Sequence, residues 1–410
     1  MIESWKNLPL NMKWSFLTVF IFILIGVFSR FLANDIPLYL EYQGESYYPL
    51  ISGQSVLKTK EGKTAFMDYK SLSKVEGVFA IYPVVPFKSK GANIESADYQ
   101  KPLTKLNGRI HVLGTNQIGE DTLAGLIHGT SFSMKVGLFS MLLALIIGLL
   151  IGALAAFFGN STLKANSIQI TLFVMAQLFV LYYLVVLPKF AYQALIEESM
   201  AALFWRALVG FTAFLLFEIA LIYGLKLLNF KAIKSFNLPI DNLLGRLIEF
   251  VDGLPLLMIL ISLSLVIKPS AGFLIVFIGF TAWIGIARLT RAEVLKIRNS
   301  DFMNAMKLMN MPWWRVVIFH LLPNALGPAI VAFSFGVGAA IITESTLSFL
   351  GVGLPNDIKT WGMILNESRD YFKAWWLVWA PGICIFLSIL SFYNIGQFLR
   401  SKLNPESLQV

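Results

Sequence analysis

The chain has 410 residues, 57% of them hydrophobic and only 14% charged. An ordinary soluble domain is about half apolar and a quarter charged, and several apolar runs here exceed the roughly 18 residues that mark a membrane-crossing helix. The composition excludes a simple water-facing fold, and the net charge of +9 requires no nucleic acid, because Lys and Arg retained on cytoplasmic loops account for it.

Taken in chain order, the apolar runs predict an all-α polytopic membrane protein with spans at 14–33, 133–158, 167–188, 202–225, 243–267, 271–288, 326–350 and 375–399. Each is long enough to cross a hydrocarbon core of about 30 Å at about 1.5 Å per residue. The first follows Lys6 and Lys13 and is too long for a signal-peptide core of about 7–15 residues, so it reads as an uncleaved span. An even number of spans puts both termini on one side. Basic residues gather in the tails and in the loops after the second, fourth and sixth spans, which predicts cytoplasmic termini and a cytoplasmic 289–325 loop. Residues 34–132 then lie outside. There, Gly and Pro turn signals alternate with short aromatic and Val-rich stretches such as "GVFAIYPVVPF", predicting some β structure. The fragment "EGKT" at 61–64 is not a phosphate loop, since the earlier glycine is replaced by Leu57 and no strand–loop–helix pattern surrounds it.

No catalytic, cofactor-binding or metal-ligating set stands out. Cys384 is the single cysteine, and His111, His128 and His320 lack ligand spacing. The distinctive segment is "SDFMNAMKLMNMPWWRVVIFHLLPN" at 300–324. Ser300 and Asp301 are residues that cap helix starts. Phe302, Met303, Met306 and Met309 recur at three- and four-residue steps, with Asn304 and Lys307 off the stripe. Asn310 suits the left-handed turn that ends a helix, and Pro312 restarts the chain. The pattern predicts a short helix at 301–309 and a second at 312–322. Two uses stay open for the Met stripe: docking into a partner's groove, or packing on the chain's own bundle.

At these residues the chain resembles the permease subunits of ABC importers, specifically the C-type subunit of the dipeptide/oligopeptide (microcin C-like) transporter family. That family carries a cytoplasmic loop with Glu-Ala-Ala, a glycine four residues further on, and a terminal Leu-Pro. Here Asn304 stands at the Glu position, Ala305 is kept, Met306 replaces the second Ala, Asn310 replaces the glycine, and Pro323 fits the end. The resemblance extends to "HVLGTNQIGEDTLAGLIHGTSFS" through Gly114, Thr115 and Asp121, to "ITESTLSFLGVGLP" with Glu344 and Gly351, and to "TWGMILNESRDYF" with Trp361 and Gly362. It covers about 110–160 and 242–406, where Asp252 and Pro255 fall in "VDGLP".

Set against the resemblance, the chain divides into five parts: the tail and first span at 1–33, a small mixed extracytoplasmic domain at 34–110, the segment and second span at 111–160, an inserted two-span hairpin at 161–241 that the family lacks, and a permease core at 242–406 containing the coupling loop; six family-type spans plus the inserted two make up the eight. The resemblance implies a non-catalytic subunit of the inner membrane that moves peptides or peptide-like compounds. It would pair with a second, homologous permease and two cytoplasmic ATPases, and receive substrate from an extracytoplasmic binding protein or lipoprotein. The coupling residues would be Asp301, Phe302, Met303, Asn304, Ala305, Met306, Lys307, Met309 and Asn310, with Arg315 as a rim charge. Asp252 and Glu344 are read as buried, hydrogen-bonded acids, and Pro255 as a kink. The insert, with Glu218 in mid-span, faces lipid or docks an accessory subunit. The alternative is an ion-coupled secondary transporter, which calls for inverted repeats that the two halves do not show.

Overall fold

The computed structural model describes residues 8–42, 45–52, 56–58, 64–66, 79–91, 93, 96–106, 109–160, 162–167, 169–171, 173–175, 177, 235–266, 270–352 and 358–403. Among them, five helices are long and apolar enough to cross a membrane: α1 (Leu10–Val27), α4 (Thr122–Phe158), α7 (Ala271–Arg298), the continuous run Trp313–Phe349, and α12 (Trp376–Leu403). This is a multi-pass, mostly helical membrane protein. The apolar runs expected at 202–225 and, beyond residue 177, at 167–188 lie outside the described residues, as does Glu218.

The expected span at 243–267 is not one helix. It is α5 (Ile240–Asp252) followed by α6 (Leu256–Val266), too short individually to cross. Pro255 has no N–H for the Val251 carbonyl, which instead accepts from Leu254 N at 3.2 Å, while Gly253 N closes on Glu249 O at 3.0 Å. The α6 helix then starts from the Pro255 carbonyl, which accepts from Met258 and Ile259.

The chain divides into two compact units, residues 1–157 with 247–410, and residues 158–246. In the first, α10 (Leu322–Phe349) packs on α12 and α7, and α12 packs on α1. Close approach of α4 to α7 depends on missing side chains: a Cβ on Gly148 would lie 2.8 Å from both Trp283 O and Ile286 Cβ, and one on Gly152 would lie 2.6 Å from Ala287 O. Small residues four apart let membrane helices gain dispersion contacts that lipid cannot outcompete. After α1 come a short helix, α2 (Ser29–Leu32), and a three-stranded antiparallel sheet in the order β2–β1–β5 (Glu45–Tyr47, Tyr39–Tyr42, Phe79–Ile81), with helix α3 (Pro49–Ser52) between β2 and ribbon β3–β4 (Val56–Lys58, Thr64–Phe66). A second ribbon, β6–β7 (Thr104–Leu106, Arg109–His111), precedes α4. In the second unit, β8 (Lys164–Asn166) pairs antiparallel with β9 (Ser235–Asn237).

Candidate functional site

The segment singled out in the sequence is helix α8 (Asp301–Leu308), which runs between α7 and the long helix after it. Its N-terminus departs from expectation. The Ser300 hydroxyl does not cap it but donates backwards to Ile297 O at 2.6 Å. Its C-terminus follows the sequence closely. Asn310 sits in the left-handed region at φ 51°, and Met311 N donates to Met306 O at 3.4 Å, the six-to-one bond of a Schellman ending.

The Met stripe divides its work. Met303 is 3% exposed and joins a buried cluster with Ala153, Ala156, Val294, Val316, Val317 and Leu321, against which Met306 also packs. Full burial of one Met stabilises by about 1.5–3 kcal/mol, so these residues fix α8 to its own bundle. Arg298 strengthens the same corner by donating to Ala156 O at 2.9 Å. The outward face is apolar too: Leu308 is 87% and Met309 66% exposed, with Phe302 and Ala305 beside them. Asn304 is exposed, and Arg315 lies over the Trp314 ring at 5.6 Å. The Lys307 side chain is outside the described set. Packing on the chain's own bundle is thus the use made of Met303 and Met306, while Met309 is left exposed.

The expected second helix at 312–322 does not end. Trp313–Val316 (α9) passes through a π-turn at Val317–Leu321 straight into α10. Leu322 N–H bonds Val317 O, five residues back. Pro323 explains the irregularity: it supplies no N–H to the Phe319 carbonyl, so the α ladder cannot continue there. The Asn324 side chain donates to His320 O at 2.6 Å.

Beyond the π-turn, α10 helps line a cavity of about 1320 Å³ with α6, α7 and the end of α12. Its walls are largely apolar, including Phe250, Leu254, Phe277, Phe335 and Ala339, with Thr281, Thr343, Glu293, Lys296 and Arg400 as polar points. Asp252 also lines it. The sequence read this residue as buried; it is instead exposed and ion-paired with Arg288. Exposure and the Arg288 cation remove the need for a buried hydrogen-bond partner.

Glu344 is fully buried, as expected. Its carboxyl accepts from Ser133 and Ser348 hydroxyls at 2.9 and 2.8 Å and from Ser345 at 3.3 Å, tying α10 to α4. The remaining motif residues build a connected shell before α4. Gly114 adopts φ 71°, and a Cβ there would meet Gln100 O at 2.5 Å, so only glycine fits. Thr115 Oγ1 donates to Ser96 O at 2.8 Å, and its carbonyl accepts from Trp376 Nε1 at 3.1 Å. Asp121 caps α4 by accepting from Ala124 N at 2.7 Å and contacts His111 Nδ1 at 2.8 Å. Trp361 and Gly362 open α11 (Trp361–Glu367), where Trp361 Nε1 reaches Leu126 O at 3.3 Å. Gly351 ends α10 at φ 74°.

One buried cluster was not read from the sequence. Lys359, only 4% exposed, bridges Glu120 and Glu367, while Asn116 Nδ2 donates to both carboxylates. Burial would raise the Glu120 carboxyl, but the Lys359 ammonium overrides it and holds the group below its ordinary range. Burial would likewise lower Lys359, and Glu367 and Glu120 together hold it above its ordinary value.

Comparison with known proteins agrees with this architecture. The family described as "Binding-protein-dependent transport system inner membrane component" matches residues 230–405, the stretch holding α8, the π-turn and most of the cavity wall. The dipeptide transport system permease protein DppC of Bacillus subtilis is 36% identical over 169 residues, 41% of this chain and 53% of the relative. The matched stretch thus spans about half of that relative's length. The di/tripeptide transport system permease protein DppC of Pseudomonas aeruginosa is 26% identical over 72% of each chain. The inner membrane ABC transporter permease protein YejE of Escherichia coli is 24% identical over 96% of this chain and 92% of its own. The resemblance stated from the motifs is to the same group of proteins.

Proposed function

We propose that this chain is the permease subunit of an ATP-driven importer of peptides or peptide-like compounds, working without catalysis of its own. The observation that carries the reading is α8: a short helix within the family-matched stretch, fixed to the bundle by Met303 and presenting Phe302, Ala305, Leu308 and Met309 outward. An apolar helical face of this kind suits the groove of a partner. In this reading each of two cytoplasmic ATPases grips one such helix, and a second, homologous permease completes the translocation path along the cavity wall. ATP-driven closure moves the bundle between inward- and outward-open arrangements as rigid bodies. The termini and the 289–325 loop face the cytoplasm of an inner membrane, following the basic residues, and the β-rich segment before α4 receives a substrate-loaded binding protein or lipoprotein.

The test is co-expression and co-purification with candidate ATPases and a candidate second permease, followed by ATP-dependent uptake of a radiolabelled dipeptide into proteoliposomes. Met309→Asp is the informative variant because Met309 is not part of the buried cluster. Loss of ATPase association with an unchanged melting curve supports the reading. Ion-gradient-driven uptake by this chain alone would sink it in favour of a secondary transporter.

A further inference from the structure

We propose that Arg298 is a positioning residue for coupling: by capping the C-terminal end of α4 it sets the direction in which α8 leaves the bundle. This rests on the importer reading above and adds to it the residue that aims the helix a partner grips.

The bond joins two helix ends. Arg298 is the last residue of α7, and its Nη1 donates to Ala156 O at 2.9 Å. Helix α4 closes at Phe158, so the Ala156 carbonyl is one of its last four, which have no N–H of the same helix to accept from. Each helix C-terminus carries the partial negative charge of its aligned peptide dipoles. The Arg298 cation is therefore favoured twice, by the end of its own helix and by the end of α4. The guanidinium presents its N–H donors in a rigid planar fork, which makes the bond directional.

The chain just beyond Arg298 forms a tight corner. Ser300 N and the Ser300 hydroxyl both donate to Ile297 O, at 3.0 and 2.6 Å. Ser300 O in turn accepts from Met303 N at 3.1 Å in the first turn of α8. An anchor on Arg298 thus holds the corner from which α8 departs. The other attachment of α8 is apolar, through Met303 and Met306 in the cluster with Ala153 and Ala156. Apolar burial is non-directional, so it keeps α8 on the bundle without fixing its heading. The eight residues of α8 make a lever about 12 Å long. A swing of about 20° at the corner would move its tip by about 4 Å, and that tip carries Leu308, 87% exposed.

Helix α4 is also the reference that coupling needs. It runs unbroken for 37 residues, and Asp121 caps its other end while contacting His111 of the β6–β7 ribbon. Aiming α8 from α4 ties the partner-facing helix to the one that reaches the side where substrate is received.

The experiment uses the full chain in lipid nanodiscs with a candidate second permease, before and after candidate ATPases are added. In a Cys384→Ser background, spin labels are placed at Leu308→Cys and at Leu142→Cys, an exposed α4 position about 21 Å along the helix from Ala156. Without ATPases, the parent should give one narrow distance distribution. Arg298→Met should broaden it at least twofold, and Arg298→Lys, which keeps a cationic donor, should restore most of the narrowness. In unlabelled complexes Arg298→Met should retain its melting curve and its ATPases. Substrate moved per ATP hydrolysed should fall about tenfold, the size of one hydrogen bond to a charged group, and should recover in Arg298→Lys. A residue that only stabilised the fold would lower the melting curve and leave that ratio unchanged. Should Arg298→Met not fold, Arg298→Gln, whose amide ends two atoms short of the guanidinium, makes the same comparison. An unbroadened distribution, or a transport ratio within twofold of the parent, overturns the positioning role alone. Failure of the parent to retain any ATPase removes the importer reading, and the coupling role of Arg298 with it.

Discussion

Replacing Lys359 with Met removes the ammonium from a buried site while keeping most of its volume. Glu120 is then left 7% exposed without its cation, and Glu367 loses the same partner. Stripping one member from a buried pair costs about 3–5 kcal/mol, because the remaining charge stays desolvated. The cost should fall locally. The cluster joins the 116–120 turn to α11 across 239 residues of sequence, so amide exchange at Asn116–Glu120 should accelerate on the order of 10²-fold or more, with α7 and α12 little changed. Glu120→Gln on top of Lys359→Met should recover most of the loss, since it removes the stranded charge. The pH dependence has a defined sign. Glu120 is held below its ordinary value of 4.5, so its contribution is in place above that value and is lost as pH falls through the lowered folded value. Lys359 is held above its ordinary value, so its contribution is in place below 10.5 and is lost only as pH rises through the raised value. The cluster is therefore pH-insensitive near neutrality and weakens in acid. Exchange rates within about twofold of the parent in Lys359→Met would refute the reasoning, because no buried ion pair could be removed so cheaply.

Glu344→Ala should cost about 1–3 kcal/mol for each buried hydroxyl left without a partner; Glu344→Gln, which keeps an acceptor oxygen, should cost clearly less, and thermal unfolding in detergent compares the two. Gly362→Ala places a Cβ 2.2 Å from Ser345 O, so overpacking of about 1–3 kcal/mol is expected; an unchanged melting curve would contradict the close approach of α11 to α10. Asn310→Val should weaken the α8 ending by about 1–2 kcal/mol, the cost of a side chain in the left-handed region, whereas Asn310→Gly should be neutral; ATPase co-purification and melting are measured together.

Local chemistry was the part most open to reading from the residues. Asn310, between a Met stripe and Pro312, carries its own conformational preference, and the helix does end there in a left-handed turn. The five long helices follow from hydrophobic runs that no soluble fold would need. What escaped was set by tertiary partners. The division of the stripe, with Met303 inward and Met309 outward, depends on how α8 is rotated against α4 and α7, and a periodicity fixes a face but not its direction. Asp252 lies in an apolar stretch, yet its exposure and its pairing with Arg288 depend on how α5 and α7 are placed, which no local pattern shows. The Lys359 cluster joins Asn116 and Glu120 to Lys359 and Glu367; two of these stretches lie in motif segments, yet nothing local in either shows that they pair. Pro323 was visible, yet only the continuous packing of α9 and α10 shows that the chain accommodates it with a π-turn rather than a helix end.

The neck of the second unit has a practical consequence. Asn160 and Asn242 bond reciprocally, side chain to side chain at 3.1 Å and side chain to backbone at 3.0 Å, just outside the β8–β9 ribbon. The chain thus leaves and re-enters at adjacent points, like a bracket that closes whatever it encloses. Lengthening a closed loop is cheap, about 0.6 kcal/mol per doubling. A reporter protein or an affinity handle grafted between the paired residues Asn166 and Ser235 would begin and end within one ribbon's width, giving engineers a port into this chain.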